Sequence, residues 1–184
     1  MLFLWGMKHT ALILTLLVAP WFARAQEGSF FPMLVGQTLT DKVIDLPDGI
    51  KGKYALVALA RSKDAEPELE SWVTPVYNKF IAKTGMMDDM YDIHTFFIPM
   101  FTGVRKGAME DVMKRMKAKS SEEIAPHVLF YKGDAEPITE PLRMENKARP
   151  YVYLLDKDGT ILLRFEGRFK ESFMDQIEKM IDLQ

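Results

Sequence analysis

The chain has 184 residues, 24 of them basic and 26 acidic, for a formal charge of −2, and it contains no cysteine. That balance offers nothing to attract nucleic acid, and the missing thiols exclude a disulfide framework and every thiol-dependent reaction. The length suits one ordinary domain with a real hydrophobic core.

Residues 1–25 read as a targeting segment. Lys8 precedes the apolar run ALILTLLVA, and the small-x-small site Ala23-Arg24-Ala25 follows it, which places cleavage before Gln26. The compact form MKHTALILTLLVAPWFARA begins at Met7 and predicts that translation starts there. A retained anchor is the competing reading, but the run is far short of the roughly 20 residues a spanning helix needs. The expectation is therefore an exported protein, periplasmic or secreted, with no transmembrane segment left after cleavage. Loss of Lys8 and Arg24 would take the formal charge from −2 to −4.

Residues 30–184 show no internal repeat or low-complexity tract, and residues 26–184 are expected to form a single domain. Thr38 to Leu46, TLTDKVIDL, alternates as a half-exposed strand does, and PDGIKGK then supplies turn residues. Tyr54 to Ala60 is a continuous apolar run of the kind buried on both faces of a sheet. From Pro67 to Lys83, Leu69, Trp72, Val73, Val76, Tyr77 and Phe80 recur at helical spacing, with Pro75 expected to kink the helix. IHTFFIPMF is a second buried strand, and Gly107 to Lys119 an amphipathic helix with Met109, Val112, Met113 and Met116 on one side. PHVLFYKG reads as a short strand or edge segment. YVYLLDKDGTILLRFEG reads as a hairpin closed by Asp-Gly, and a last helix carries Phe173, Ile177, Met180 and Ile181. This order predicts an α/β fold with a central mixed sheet, helices on both faces and a C-terminal hairpin plus helix.

Two stretches carry a resemblance. GKYALVALARSKDAEPELESWVTPVYNKF resembles the first strand and long helix of thioredoxin-like and peroxiredoxin-like domains, proline included, and ARPYVYLLDKDGTILLRFEGR resembles their C-terminal half. The resemblance covers about residues 30–184 and implies that Pro150 is the cis proline facing the active-site loop. Strand register puts the first redox cysteine at Asp64, whereas the helix proline puts it at Pro67; neither placement finds a thiol. Disulfide exchange and peroxide reduction run on thiolates, which carboxylates cannot replace. FFPMLVGQTLTDKVIDLP, SWVTPVYNKF and YVYLLDKDGTILLRFEG are also similar to the mitochondrial ATP synthase assembly factor ten family, which implies a chaperone-like role in assembling a membrane complex.

The acidic cluster Asp64, Glu66, Glu68 and Glu70 offers paired carboxylates for acid–base work or a divalent metal, but first-turn carboxylates that favour the helix dipole explain it more simply. Asp88, Asp89, Asp92 and His94 lie beside Met86, Met87 and Met90, a mixture that would suit a soft metal, although the spacing matches no ligand motif and reads first as a polar loop. His127 enters a short strand, and Lys114, Arg115, Lys117 and Lys119, beside Arg105 and Lys106, offer a surface for an anionic partner but read more simply as a solvated helix face. No nucleophile triad, Gly-rich phosphate loop or HExxH helix is present, so neither a catalytic residue, a metal site nor a cofactor is expected. If the fold is right, Arg61, Asp64, Arg149 and Pro150 converge where a thioredoxin fold grips extended polypeptide, a grip that needs no cysteine. The leading expectation is a protein-binding or assembly module with no thiol redox activity. The alternatives are a metal-dependent or hydrolytic site on the acidic loop or the Met/His cluster, and a domain with a purely structural role.

Overall fold

The computed structural model describes residues 27–183, so the segment read as a targeting signal lies outside the described residues. Seven strands, β1 (Leu34–Thr38), β2 (Val43–Leu46), β3 (Tyr54–Ala60), β4 (Ile93–Thr102), β5 (Leu129–Gly133), β6 (Tyr151–Leu155) and β7 (Ile161–Glu166), form one sheet in the order β2-β1-β5-β4-β3-β6-β7. β4 runs parallel to both β3 and β5, and the other pairings are antiparallel. Helices α1 (Glu66–Val76), α2 (Met109–Lys117), α3 (Glu136–Thr139) and α4 (Glu171–Asp182) complete a thioredoxin-like α/β fold.

All seven residues of β3 are buried because both faces of the sheet are covered. Ala55, Val57 and Leu59 join one core, and Leu56, Ala58 and Ala60 the other. α1 and α4 cover the second of these. There Trp72 is fully buried among Phe165, Phe169 and Phe173 at 5.9, 5.3 and 5.7 Å, and its indole N–H donates to the Gly167 carbonyl at 2.9 Å. α2 extends the cover on that face, packing Met113 against Phe101 and Phe130. The opposite face is covered by less helix, with Ile138 of the single-turn α3, then Leu142, Met144, Phe31 and Ile50.

Four local expectations are corrected. TLTDKVIDL is not one strand: Thr38 ends β1, Asp41 turns the chain at φ 65°, and β2 returns alongside, held by the Lys42 N–H on Thr38 Oγ1 at 3.1 Å. Alternation continues across so tight a turn, which hides it from a pattern reading. The helix expected to run to Lys83 ends as α1 at Val76, with Pro75 inside it, and a wider turn, Tyr77–Ile81, follows, closed by Ala82 N–H to the Tyr77 carbonyl at 2.8 Å; proline has no N–H for the carbonyl four residues back. β5 is interior, between β1 and β4, not an edge. Pro150 is not cis: Arg149 N–H closes a turn onto the Asn146 carbonyl at 3.3 Å, and the trans bond then leads directly into β6. The cis bond among the described residues is Leu46–Pro47.

Candidate functional site: the rim between the first crossover strand and its helix

Because α1 crosses from β3 to the parallel β4, the end of β3 and the start of α1 share one rim of the sheet. β6 is antiparallel to β3, with Tyr151 opposite Leu59, so the chain entering β6 arrives at the same rim. Arg61, Asp64, Arg149 and Pro150 are thereby brought to one place, but in different circumstances. Arg61 donates from Nη1 to the carbonyl of buried Met144 at 2.6 Å, and Ser62 donates from Oγ to the Lys147 carbonyl at 2.6 Å. These two bonds clamp the loop before β6 onto the loop after β3. Pro150 is buried, and Asp64 is exposed.

Arg149 is partly exposed and lies between Glu68 at 3.4 Å and Glu166 at 3.9 Å. Its guanidinium sits over Gly167, where an added Cβ would collide with it and where φ is +89°, so both space and backbone call for glycine. The first-turn carboxylates of α1 do not cap it through hydrogen bonds: the N-cap is Ala65, with no side-chain cap. Glu66 instead pairs with Arg105 at 2.7 Å, and Glu68 with Arg149. Arg105 also lies over the Phe101 ring at 5.2 Å. Ser62 and Arg105 are the rim residues that sequence reasoning missed; Arg105 reaches Glu66 from 39 positions away, with no local signal to announce it.

Beside Glu66 an open groove of about 550 Å³ runs between α1 and α2 over β4. Leu69, Val73, Phe97, Pro99, Met116 and Ile124 make its apolar walls, and Glu70 and Lys119 stand at its margin. Contiguous apolar concavity of this kind suits another polypeptide or a small apolar ligand.

The second candidate cluster is taken apart by the fold. Asp88 accepts from Lys79 at 3.0 Å and from the Gly85 N–H at 2.7 Å, and the Lys79 ammonium holds its carboxyl below the ordinary value. Asp92 pairs with Lys53 at 2.8 Å. His94 stacks on Phe96, and burial holds its imidazole below the ordinary value. His127 is held low by burial too, and its Nδ1 lies 2.9 Å from the Thr95 carbonyl and 2.8 Å from the Thr95 hydroxyl. Among the described residues, no three His, Asp or Glu side chains are grouped as metal ligands would be. No described helix is long and apolar enough to cross a membrane.

Solved structures share this fold at low identity. BsSco, a member of the Sco family of cytochrome c oxidase assembly proteins, matches with a TM-score of 0.57 at 13% identity, over 88% of this chain and 99% of its own. The exposed lipoprotein thioredoxin Etrx1 of Streptococcus pneumoniae matches at 0.53 and 15%, over 80% and 98%. Yeast Sco1 with copper bound matches at 0.50 and 14%, over 84% and 92%. No curated protein sequence matches the chain. A family model described as ATP10 protein matches residues 15–181. That family is a mitochondrial ATP synthase assembly factor, which points to a mitochondrial location and overturns the periplasmic or secreted one expected from residues 1–25. Basic residues with no acidic side chain before Glu27 are common to both kinds of targeting, so the charge of the segment does not separate them. The match over residues 15–181 shows that the chain belongs to the ATP10 protein family.

Proposed function

We propose that this chain is a protein-binding module in ATP synthase assembly that works without thiol redox chemistry and meets its partner at the rim between β3 and α1. The observation that carries the reading is the cysteine-free loop itself: neither Asp64 nor Pro67, where the resemblance would put a reactive thiol, is a cysteine, and just before them Arg61 and Ser62 clamp two loops into one fixed surface. In this reading Arg61 and Pro150 build the rim, while Asp64 and Arg149 present it. The apolar groove beside Glu66 continues the same surface and gives a partner segment somewhere to bury side chains.

A photo-crosslinking side chain at Asp64, tested in mitochondria, is expected to capture an ATP synthase subunit or assembly intermediate. The same group at exposed Lys157, whose carbonyl accepts from Gly52 near the opposite end of β3, is expected to capture none. Arg149→Ala is expected to lower the yield at Asp64 while costing at most about 1 kcal/mol, because its ion pairs are long and solvent-screened. Equal capture from both positions, or an unchanged yield in Arg149→Ala, would count against this rim.

A further inference from the structure

With 13 methionines and no cysteine, all the sulfur of this chain is thioether. Most of the described methionines are at least partly buried, and Met100, Met144 and Met174 are fully inside. The loop between α1 and β4 is different: Met86, Met87 and Met90 are 101%, 67% and 61% exposed. The loop is not loosely wound. Asp88 N–H bonds to the Gly85 carbonyl at 3.2 Å, Met90 N–H to Met87 at 3.3 Å and Tyr91 N–H to Asp88 at 3.1 Å. The Asp88 carboxylate is buried on Lys79 and the Gly85 N–H, and Lys79 also reaches Glu178 of α4 at 2.9 Å. Tyr91 packs inward against Phe80 at 5.7 Å. The loop thus buries an aspartate and a tyrosine and leaves three methionines in water, the reverse of the usual order of burial.

We propose that Met86, Met87 and Met90 form an oxidation site, at which a peroxide-class oxidant converts exposed thioethers to sulfoxides and turns this surface from apolar to polar while the fold stays intact. In each step the sulfur lone pair attacks a peroxide oxygen and the O–O bond breaks. Sulfur gives up two electrons, one oxygen remains as S=O, and the other leaves as water. Reversal uses a methionine sulfoxide reductase, two thiols becoming a disulfide as the oxygen leaves as water. Reactivity follows exposure here because nothing in the core depends on these three side chains, whereas Met100 and Met144 are shielded by the sheet. This proposal does not depend on the partner-binding reading.

The test is graded hydrogen peroxide on the purified full chain carrying Met33→Leu, which removes an isolated exposed methionine elsewhere. Peptide mass spectrometry is expected to find one oxygen on each of Met86, Met87 and Met90 before any on Met100 or Met144. Retention on a hydrophobic-interaction column should fall, with the melting temperature unchanged. The further variant Met86→Leu/Met87→Leu/Met90→Leu should keep its retention through the same treatment. Oxidation of the loop no faster than at Met100 and Met144, a melting temperature that drops with the first oxygens, or equal loss of retention in the leucine variant would overturn the proposal.

Discussion

Replacing Arg61 tests whether the rim is held together as the geometry says. Its guanidinium donates to the Met144 carbonyl at 2.6 Å, and Met144 itself is buried, so Arg61→Ala removes a charge-assisted hydrogen bond and leaves an acceptor in a poorly hydrated place. Such bonds contribute about 1.5–3 kcal/mol, and that is the expected loss of unfolding free energy. Ser62→Ala removes a neutral bond to the carbonyl of exposed Lys147, with an expected loss of about 0.5–1.5 kcal/mol. Both bonds pin one stretch of chain, so the double variant should cost less than the sum of the two, by about 0.5 kcal/mol or more. Urea unfolding of the four proteins at one ionic strength measures all three quantities. Amide exchange of residues 145–148 should quicken in either single variant. If Arg61→Ala fell within about 0.5 kcal/mol of the parent, as an ordinary surface substitution does, the clamp would be refuted and Arg61 would be a free surface side chain.

Two further outcomes follow from burial. Trp72→Phe keeps most of the ring packing but strands the Gly167 carbonyl, for an expected cost of about 1–3 kcal/mol, whereas Trp72→Ala should cost about 3–5 kcal/mol. Circular dichroism melts that rank the two equally would show that the ring packing kept in Trp72→Phe contributes nothing, and a Trp72→Phe melt equal to the parent's would show the same of the hydrogen bond. His127 and His94 are both held below the ordinary value of 6.5 by burial, so the unfolded chain takes up their protons first. Their contribution is therefore fully present above about pH 6.5 and is lost as pH falls through the lower folded values. His127→Asn keeps an N–H for the Thr95 carbonyl but cannot titrate, and should flatten the decline in melting temperature between about pH 7 and 5. Identical slopes for parent and variant would contradict this account.

What could be read from the sequence was whatever depends on local periodicity. YALVALA announced a strand buried on both faces, Leu69, Trp72 and Val76 announced the face of α1 that is buried and Phe80 its continuation in the turn that follows, and the Asp-Gly turn announced the β6–β7 hairpin. The β1–β2 hairpin was hidden because its alternation runs through the turn at Asp41. The rim was half legible. The resemblance to a thioredoxin-like fold implied that Arg61, Asp64, Arg149 and Pro150 come together, but what each side chain touches depends on residues far along the chain. Met144 is 83 positions from Arg61, Glu68 is 81 from Arg149, and no short pattern encodes those pairs. The expectation of a cis Pro150 came from resemblance alone and failed where this chain forms the turn from Asn146 to Arg149.

The start of α1 explains how a thioredoxin-like scaffold stays ordered without its thiols. A helix N-terminus favours negative charge, and where a cysteine stands there the thiolate benefits. Here the negative charge comes from Glu66 and Glu68, each held by an arginine from a different part of the chain: Arg105 from the β4–α2 loop and Arg149 from the entry to β6. The helix dipole and two ion pairs therefore act on the same residues, and they tie two loops to one helix end. Exposed ion pairs alone contribute little, but Arg105 is stacked on Phe101 and Arg149 fills the space over Gly167, so each cation also packs. A reactive thiol must remain accessible to its substrate. A rim released from that requirement can be closed with arginines and hydrogen bonds, as Arg61, Ser62, Arg105 and Arg149 close this one.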